Sequence, residues 1–221
     1  MLHSNSGTPR RGFLGSIAVG AAGLVLGRWS TASAELPSAE SLAFADEWVG
    51  RIKGKYRQVF DCTAANEGFG AAFPLNFNVS TKQALKVTDA DITGVAVFRH
   101  MAMPLMLNDA TWAKYKIGEV LSIKDPKTNA PATRNIFRDN IPLYPGLTYE
   151  QEMSTRGVIF VACNMALTVI SGMAAPKANV SADQAKKDWT AGLIPGVNLA
   201  ASGVYAVNRA QQAGCSYCFG G

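Results

Sequence analysis

The stretch Gly157-Val-Ile-Phe-Val-Ala-Cys-Asn-Met-Ala-Leu167 decides the fold. Behind the glycine, Val158 to Ala162 form an unbroken apolar run of β-branched, aromatic and small residues, the pattern of a short strand buried on both faces. Beyond Cys163 a helix is expected from Met165 to Ala174. A strand that passes directly into a helix is half of a crossover unit, and crossover units build parallel sheets.

Working outward, the same alternation recurs. Upstream, Thr148 to Arg156 reads as a helix that Gly157 stops. Tyr56 to Cys62 and Asp91 to Phe98 are strand candidates, with Asn66-Glu-Gly-Phe-Gly70 as a loop and a helix from about Ala71 to Leu85, perturbed by Pro74, between them. Ser38 to Gly50 is a short amphipathic helix, and Asp109 to Lys116 looks helical. Lys124 to Pro145 holds four of the ten prolines, lacks periodicity and is expected to be a loop insertion. Downstream, Ser181 caps a helix through Trp189, Pro195 to Ala200 forms a fourth strand, and Ser202 to Ala213 closes the chain's helices before Gly214. Strands alternating with helices predict an α/β fold, a three-layer α/β/α domain with a mainly parallel sheet.

The N-terminus carries a different signal. Arg10 and Arg11 precede Phe13 and Leu14, an uncharged apolar run extends from Phe13 to Gly27, and Thr31-Ala-Ser-Ala34 supplies small residues for cleavage. The run is too short for the roughly 20 residues of a membrane-spanning helix. A basic region, a short apolar region and a small-residue exit define a secretory leader, and the paired arginines make it a twin-arginine one. Residues 1–34 are therefore expected to be a cleaved signal peptide, residues 35–221 a single domain, and the location periplasmic, or otherwise exported by the Tat route. Arg10, Arg11 and Arg28 leave with the leader, so the formal charge of +5 falls to +2. That balance gives no case for nucleic acid. No second apolar segment in the mature chain approaches spanning length.

In open parallel sheets, ligands bind beyond the carboxyl ends of the strands. The first strand ends at Cys62, the second at Arg99-His100 and the third at Cys163, so one rim is expected to collect two thiols and an imidazole. Cys163 stands at a strand-to-helix turn, where free amides favour a thiolate, the nucleophilic form of cysteine. Cys62 reads equally as a resolving thiol, a ligand or a core residue. His100 reads as a structural residue or a proton shuttle. Met101, Met103 and Met106 fit core packing better than a copper site. Glu67, in the Asn66–Gly70 loop, is a weak proton-transfer candidate. Near the C-terminus, Cys215-Ser-Tyr-Cys218 is a C-x-x-C pair, a redox or metal half-site, placed on an expected tail from 214 to 221. Phe219 follows it where c-type haem attachment needs histidine, and no second C-x-x-C completes a four-thiolate zinc site. Four cysteines also permit two disulfides, in three connectivities.

Two of these segments together resemble the DsrE/DsrF-like sulfur-relay family. The first is Gly157 to Leu167, similar to that family's glycine, apolar strand and active cysteine. The second runs Val197-Asn-Leu-Ala-Ala-Ser-Gly203-Val-Tyr-Ala-Val-Asn-Arg-Ala-Gln211-Gln-Ala-Gly214-Cys-Ser-Tyr217, similar to its closing strand, turn and helix with a Gln-x-x-Gly-x-x-Tyr ending. The resemblance implies a small α/β domain that oligomerises and carries sulfane sulfur as a persulfide on Cys163. The export leader and the terminal C-x-x-C depart from the family's pattern.

The expected function is thus a periplasmic thiol protein, a sulfurtransferase-like carrier if it is an enzyme. It would bind or transfer sulfane sulfur, or perform thiol–disulfide chemistry, at Cys163. Cys62 or the pair Cys215 and Cys218 would resolve the product, and His100 would tune protonation. The partner would be a small sulfur compound or a redox protein, and the chain a homo-oligomer. Two alternatives stand beside it. One is a protein binding a metal ion through Cys62, His100, Cys163, Cys215 and Cys218; the other is a non-catalytic interaction subunit held by disulfides.

Overall fold

The computed structural model describes residues 46–221. The expected leader and the beginning of the expected helix from Ser38 to Gly50 lie outside these residues; the latter's end is a 3-10 turn, Glu47–Arg51.

Five strands form one parallel sheet: β1 (Tyr56–Cys62), β2 (Ile92–Phe98), β5 (Ile159–Cys163), β6 (Asn198–Ala200) and β7 (Ser216–Phe219). Their lateral order is β6-β5-β2-β1-β7. The intervening β3 (Asn140–Ile141) and β4 (Tyr144–Pro145) make a separate two-residue hairpin. The helices are α1 (Phe69–Leu85), α2 (Asp109–Lys114), α3 (Ile117–Val120), α4 (Tyr149–Arg156), α5 (Asn164–Ala174), α6 (Ala182–Ala191) and α7 (Gly203–Gln212).

Alternation along the strands divides the core into two layers. Phe60, Ala96, Phe98, Phe160 and Ala162 face the layer built by α1 to α6, with Leu75, Trp112, Tyr149, Leu167 and Trp189 packed among them. Val59, Val95, Val97, Ile159 and Val161 face the opposite layer, where Ala206 and Ala210 of α7 and Trp48 cover them. Each fully buried valine or phenylalanine contributes about 1.5–3 kcal/mol relative to exposure. The result is a three-layer α/β/α sandwich.

Local chemistry sets the helix ends. Ser181 and Ser202 accept hydrogen bonds from the amides of Gln184 and Tyr205 at 3.1 and 3.2 Å, and Thr148 forms a capping box with Gln151. Gly157 stops α4 in the left-handed region, φ 65°. Pro74 sits inside α1 without breaking it. Its ring needs room over the sheet, and Gly94 of β2 supplies it: a Cβ there would approach the Pro74 Cβ to 3.0 Å.

One expectation is corrected. The segment 214–221 is not a tail: Ser216–Phe219 add a fifth strand, with Phe60 opposite Cys218 and Asp61 opposite Phe219. The stretch 124–145 carries the β3–β4 hairpin and is fastened to the body. Asn135, fully buried, donates to the carbonyls of Leu105 and Leu107 at 2.7 and 2.9 Å.

Candidate functional site

The chain leaves β5 through α5 into one layer, whereas it leaves the neighbouring β6 through α7 into the other. Such a reversal between adjacent strands opens a crevice at their carboxyl ends, where ligands of open sheets bind. Cys163 ends β5 opposite Ala200 of β6, directly at this reversal. Its Sγ caps α5, accepting the Ala166 amide at 3.3 Å. The residue is nearly covered, 5 % exposed.

A charged cluster flanks it. Arg99, the residue after β2, binds the Asp61 carboxylate at the end of β1 through Nε (2.6 Å) and Nη2 (2.9 Å). The Tyr217 hydroxyl donates to the same carboxylate at 3.0 Å. The hydrogen bond to Asp61 raises the Arg99 pKa above its ordinary value against partial desolvation, and the charges of Asp61, Tyr217 and Cys163 add to the rise. Cys163 therefore lies within electrostatic reach of the guanidinium. Gly203, first residue of α7, makes space for the arginine stem: a Cβ there would come within 2.8 Å of the Arg99 Cδ and closer still to its Cβ. Two helix starts, one fixed cation and one thiol thus meet where the chain reverses.

The other expected residues separate from this site. Cys62 is fully buried, and desolvation first, then the Asp61 and Cys218 charges, pushes its thiol far up. Its role is visible in α1. Pro74 has no N–H for the carbonyl of Gly70, four residues earlier. The Cys62 thiol lies 3.8 Å from that carbonyl and 3.8 Å from the Phe60 carbonyl, so its single hydrogen makes a weak sulfur bond shared between the two, and Gly70 and Gly220 leave room for the sulfur. The burial and the raised pKa describe a structural thiol.

His100 is exposed, with left-handed backbone at φ 49°, at the head of a 3-10 segment, His100–Met106. Met103 and Met106 in that segment are fully buried, as core packing expects, and Met101 is half-buried. Glu67 is exposed, and Gly68 beside it leaves space for the Phe137 ring, so the Asn66–Gly70 loop is a packing feature.

Cys215 and Cys218 do not form a paired site. Cys215 packs in the α7 layer, its thiol pushed up to about 11 chiefly by desolvation, while half-buried Cys218 packs on the opposite layer. Three residues of extended chain separate them by roughly 10 Å, beyond the ~7 Å Cα limit for a disulfide. All four cysteines are free. Among the described residues no group of three or more His, Cys, Asp or Glu side chains is placed to hold a metal ion. No helix among them is long and apolar enough to cross a membrane.

Elsewhere a groove of about 440 Å³ is lined by Asp109, Arg134, Arg138, Asp139, Thr148 and Glu150. Its arginines are already paired, Arg134 with Asp139 and Arg138 with Glu150. Sequence reasoning missed the Asp61–Arg99–Tyr217 cluster. The available signal was a pair of opposite charges at matching places, Asp61 near the carboxyl end of β1 and Arg99 directly after β2.

Comparison with family models, curated proteins and solved structures gives no match for this chain.

Proposed function

We propose that this is an exported thiol protein of the DsrE/DsrF-like kind that accepts sulfane sulfur on Cys163. The observation that carries the reading is the placement of Cys163: end of β5, cap of α5, beside Arg99 and opposite β6 where the chain changes layers. In the reaction, the Cys163 thiolate attacks the outer sulfur of an anionic donor such as a thiosulfonate or polysulfide. A new S–S bond forms, the bond from that sulfur to the donor breaks, and its electron pair leaves with the donor. Arg99 offsets the charge of the incoming anion, and the open amides of the α5 start favour negative charge at the same place. The location is periplasmic in this reading, by way of the twin-arginine leader.

Resolution of the persulfide falls to a partner thiol rather than to Cys62, whose burial keeps it from attack. The metal-binding alternative has no ligand group to support it among the described residues. Incubation of the purified protein with a sulfane donor, followed by persulfide tagging and intact mass, tests the reading. A gain of one sulfur on wild type and none on Cys163→Ser is expected; a persulfide retained by Cys163→Ser rules Cys163 out as the carrier.

A further inference from the structure

The groove of about 440 Å³ lies where the starts of α2 and α4 meet the stretch 134–139, and Asp109, Arg134, Arg138, Asp139 and Glu150 are its charged walls. That volume suits a small molecule. The core holds the walls in place. Buried Asn135, tied to the Leu105 and Leu107 carbonyls, donates its own amide to Asp109 Oδ1 at 3.0 Å. The Tyr149 amide donates to the Arg138 carbonyl at 3.0 Å. Folding stability gives little reason for so many charges here, because the pairs Arg134–Asp139 and Arg138–Glu150 are 30 to 52 % exposed and solvated pairs contribute little.

We propose that this groove binds the zwitterionic head of a free α-amino acid, its ammonium on Asp109 and its carboxylate on Arg134 and Arg138. The pairing inside the groove leaves the necessary groups over. Arg134 gives only Nη1 to Asp139, so Nε and Nη2 keep their hydrogens among the described residues. Arg138 gives Nε and Nη2 to Oε1 of Glu150, which leaves Nη1. Asp109 forms an ion pair with neither arginine, and its Oδ2 has no partner among the described residues. Its charge nevertheless reaches both guanidinium groups: their pKa values are raised first by the hydrogen bonds to Asp139 and Glu150, and further by Asp109. A simple anion entering the groove meets three carboxylates, and a simple cation meets two guanidinium groups that never lose their charge. A ligand with both signs one carbon apart is matched on each wall, and the planar guanidinium suits a carboxylate. Because the walls are half-exposed, the side chain of the ligand points to solvent and selects weakly, and binding belongs to the high-micromolar to millimolar class. The site is independent of the sulfur chemistry at Cys163.

Amide NMR of the full chain, titrated with each of the common L-amino acids to about 10 mM, covers that class. Saturable shifts are expected at the amides of residues 134–139 and 148–150 with at least one amino acid. Propionate and propylamine, which carry one sign each, are expected to give none at the same concentration. Asp109→Asn keeps an oxygen for the Asn135 amide and removes the charge, so it weakens binding about fivefold or more with an unchanged circular-dichroism melt. Arg134→Gln, at an exposed position, does the same. Absence of saturable shifts with every amino acid overturns the proposal. So does propionate or propylamine binding as tightly as the best amino acid, which would make the groove a site for a single charge. Undiminished binding by a folded Asp109→Asn or Arg134→Gln chain overturns it as well.

Discussion

Arg99 holds Asp61 with two arms of its guanidinium, Nε to Oδ1 at 2.6 Å and Nη2 to Oδ2 at 2.9 Å, across the ends of two adjacent strands. The carboxylate is 6 % exposed and the arginine 29 %. Paired donors of this geometry are stronger than neutral hydrogen bonds. The pair fixes a cation whose charge interacts with Cys163, so in the proposed reaction stability and sulfur capture are coupled through it.

Arg99→Ala leaves a nearly buried carboxylate with the Tyr217 hydroxyl still bound, at a cost of about 1–3 kcal/mol, reduced from that of a fully buried pair by the partial exposure of Arg99. Arg99→Lys restores little, because lysine lacks the planar fork. Urea denaturation reads the stability. Capture of an anionic thiol reagent by Cys163 is expected to slow more than capture of a neutral one; equal slowing would show that Arg99 does not act on the incoming charge.

Gly203→Ala is expected to behave like a mild form of Arg99→Ala. The added methyl meets the Arg99 stem and moves the guanidinium off Asp61, with an overpacking cost of about 1–3 kcal/mol. The same anionic-to-neutral rate comparison checks it. An unchanged ratio would mean that the arginine accommodates the methyl without leaving its partner.

Cys62 is expected to matter for folding and not for sulfur transfer. Cys62→Ala leaves the Gly70 carbonyl without its thiol donor and opens a small cavity, costing about 1–2 kcal/mol, while persulfide loading on Cys163 persists. Peptide mapping after native alkylation should find Cys62 unmodified and Cys218 modified. Early labelling of Cys62, or loss of loading in Cys62→Ala, contradicts this assignment.

Glu152 is expected to add a pH dependence to stability. Its side chain is buried on α4 with neither carboxylate oxygen hydrogen-bonded, and the Tyr149 hydroxyl one turn earlier is likewise unpartnered among the described residues. Desolvation holds the Glu152 pKa well above its ordinary 4.5, opposed only in part by Arg156. Below that ordinary value both folded and unfolded chains keep the proton, and the stabilising contribution is fully present. Above it the unfolded chain ionises first, and stability falls by up to about 1.4 kcal/mol per pH unit until the folded carboxyl also titrates. Glu152→Gln removes this slope, so its urea midpoint should exceed that of wild type increasingly from pH 5 to pH 8. Parallel curves over that range would show that Glu152 is ionised in the folded protein.

Much of the architecture is legible in the chain itself. The runs Ile92–Phe98 and Ile159–Cys163 are apolar, Thr93 aside, because both of their faces are buried, and Ser181, Ser202 and Gly157 mark helix ends through interactions within a few residues. β7 was not legible. Ser216–Phe219 is short, has two exposed aromatic residues and lies on the sheet edge, so nothing in its sequence distinguishes it from a terminal tail until β1 pairs with it.

The site divides in the same way. The position of Cys163 between a strand and a helix is a local property that residues 157–174 determine alone. The partnership of Asp61 with Arg99, the separation of Cys215 from Cys218 onto opposite layers and the use of Cys62 to satisfy α1 were decided by tertiary structure. Local patterns encode which segments are strands and where helices stop, since those interactions span a few residues. Which strand lies beside which depends on packing among segments distant in the chain, and only that lateral order brings one thiol to a charged rim while sealing another in the core.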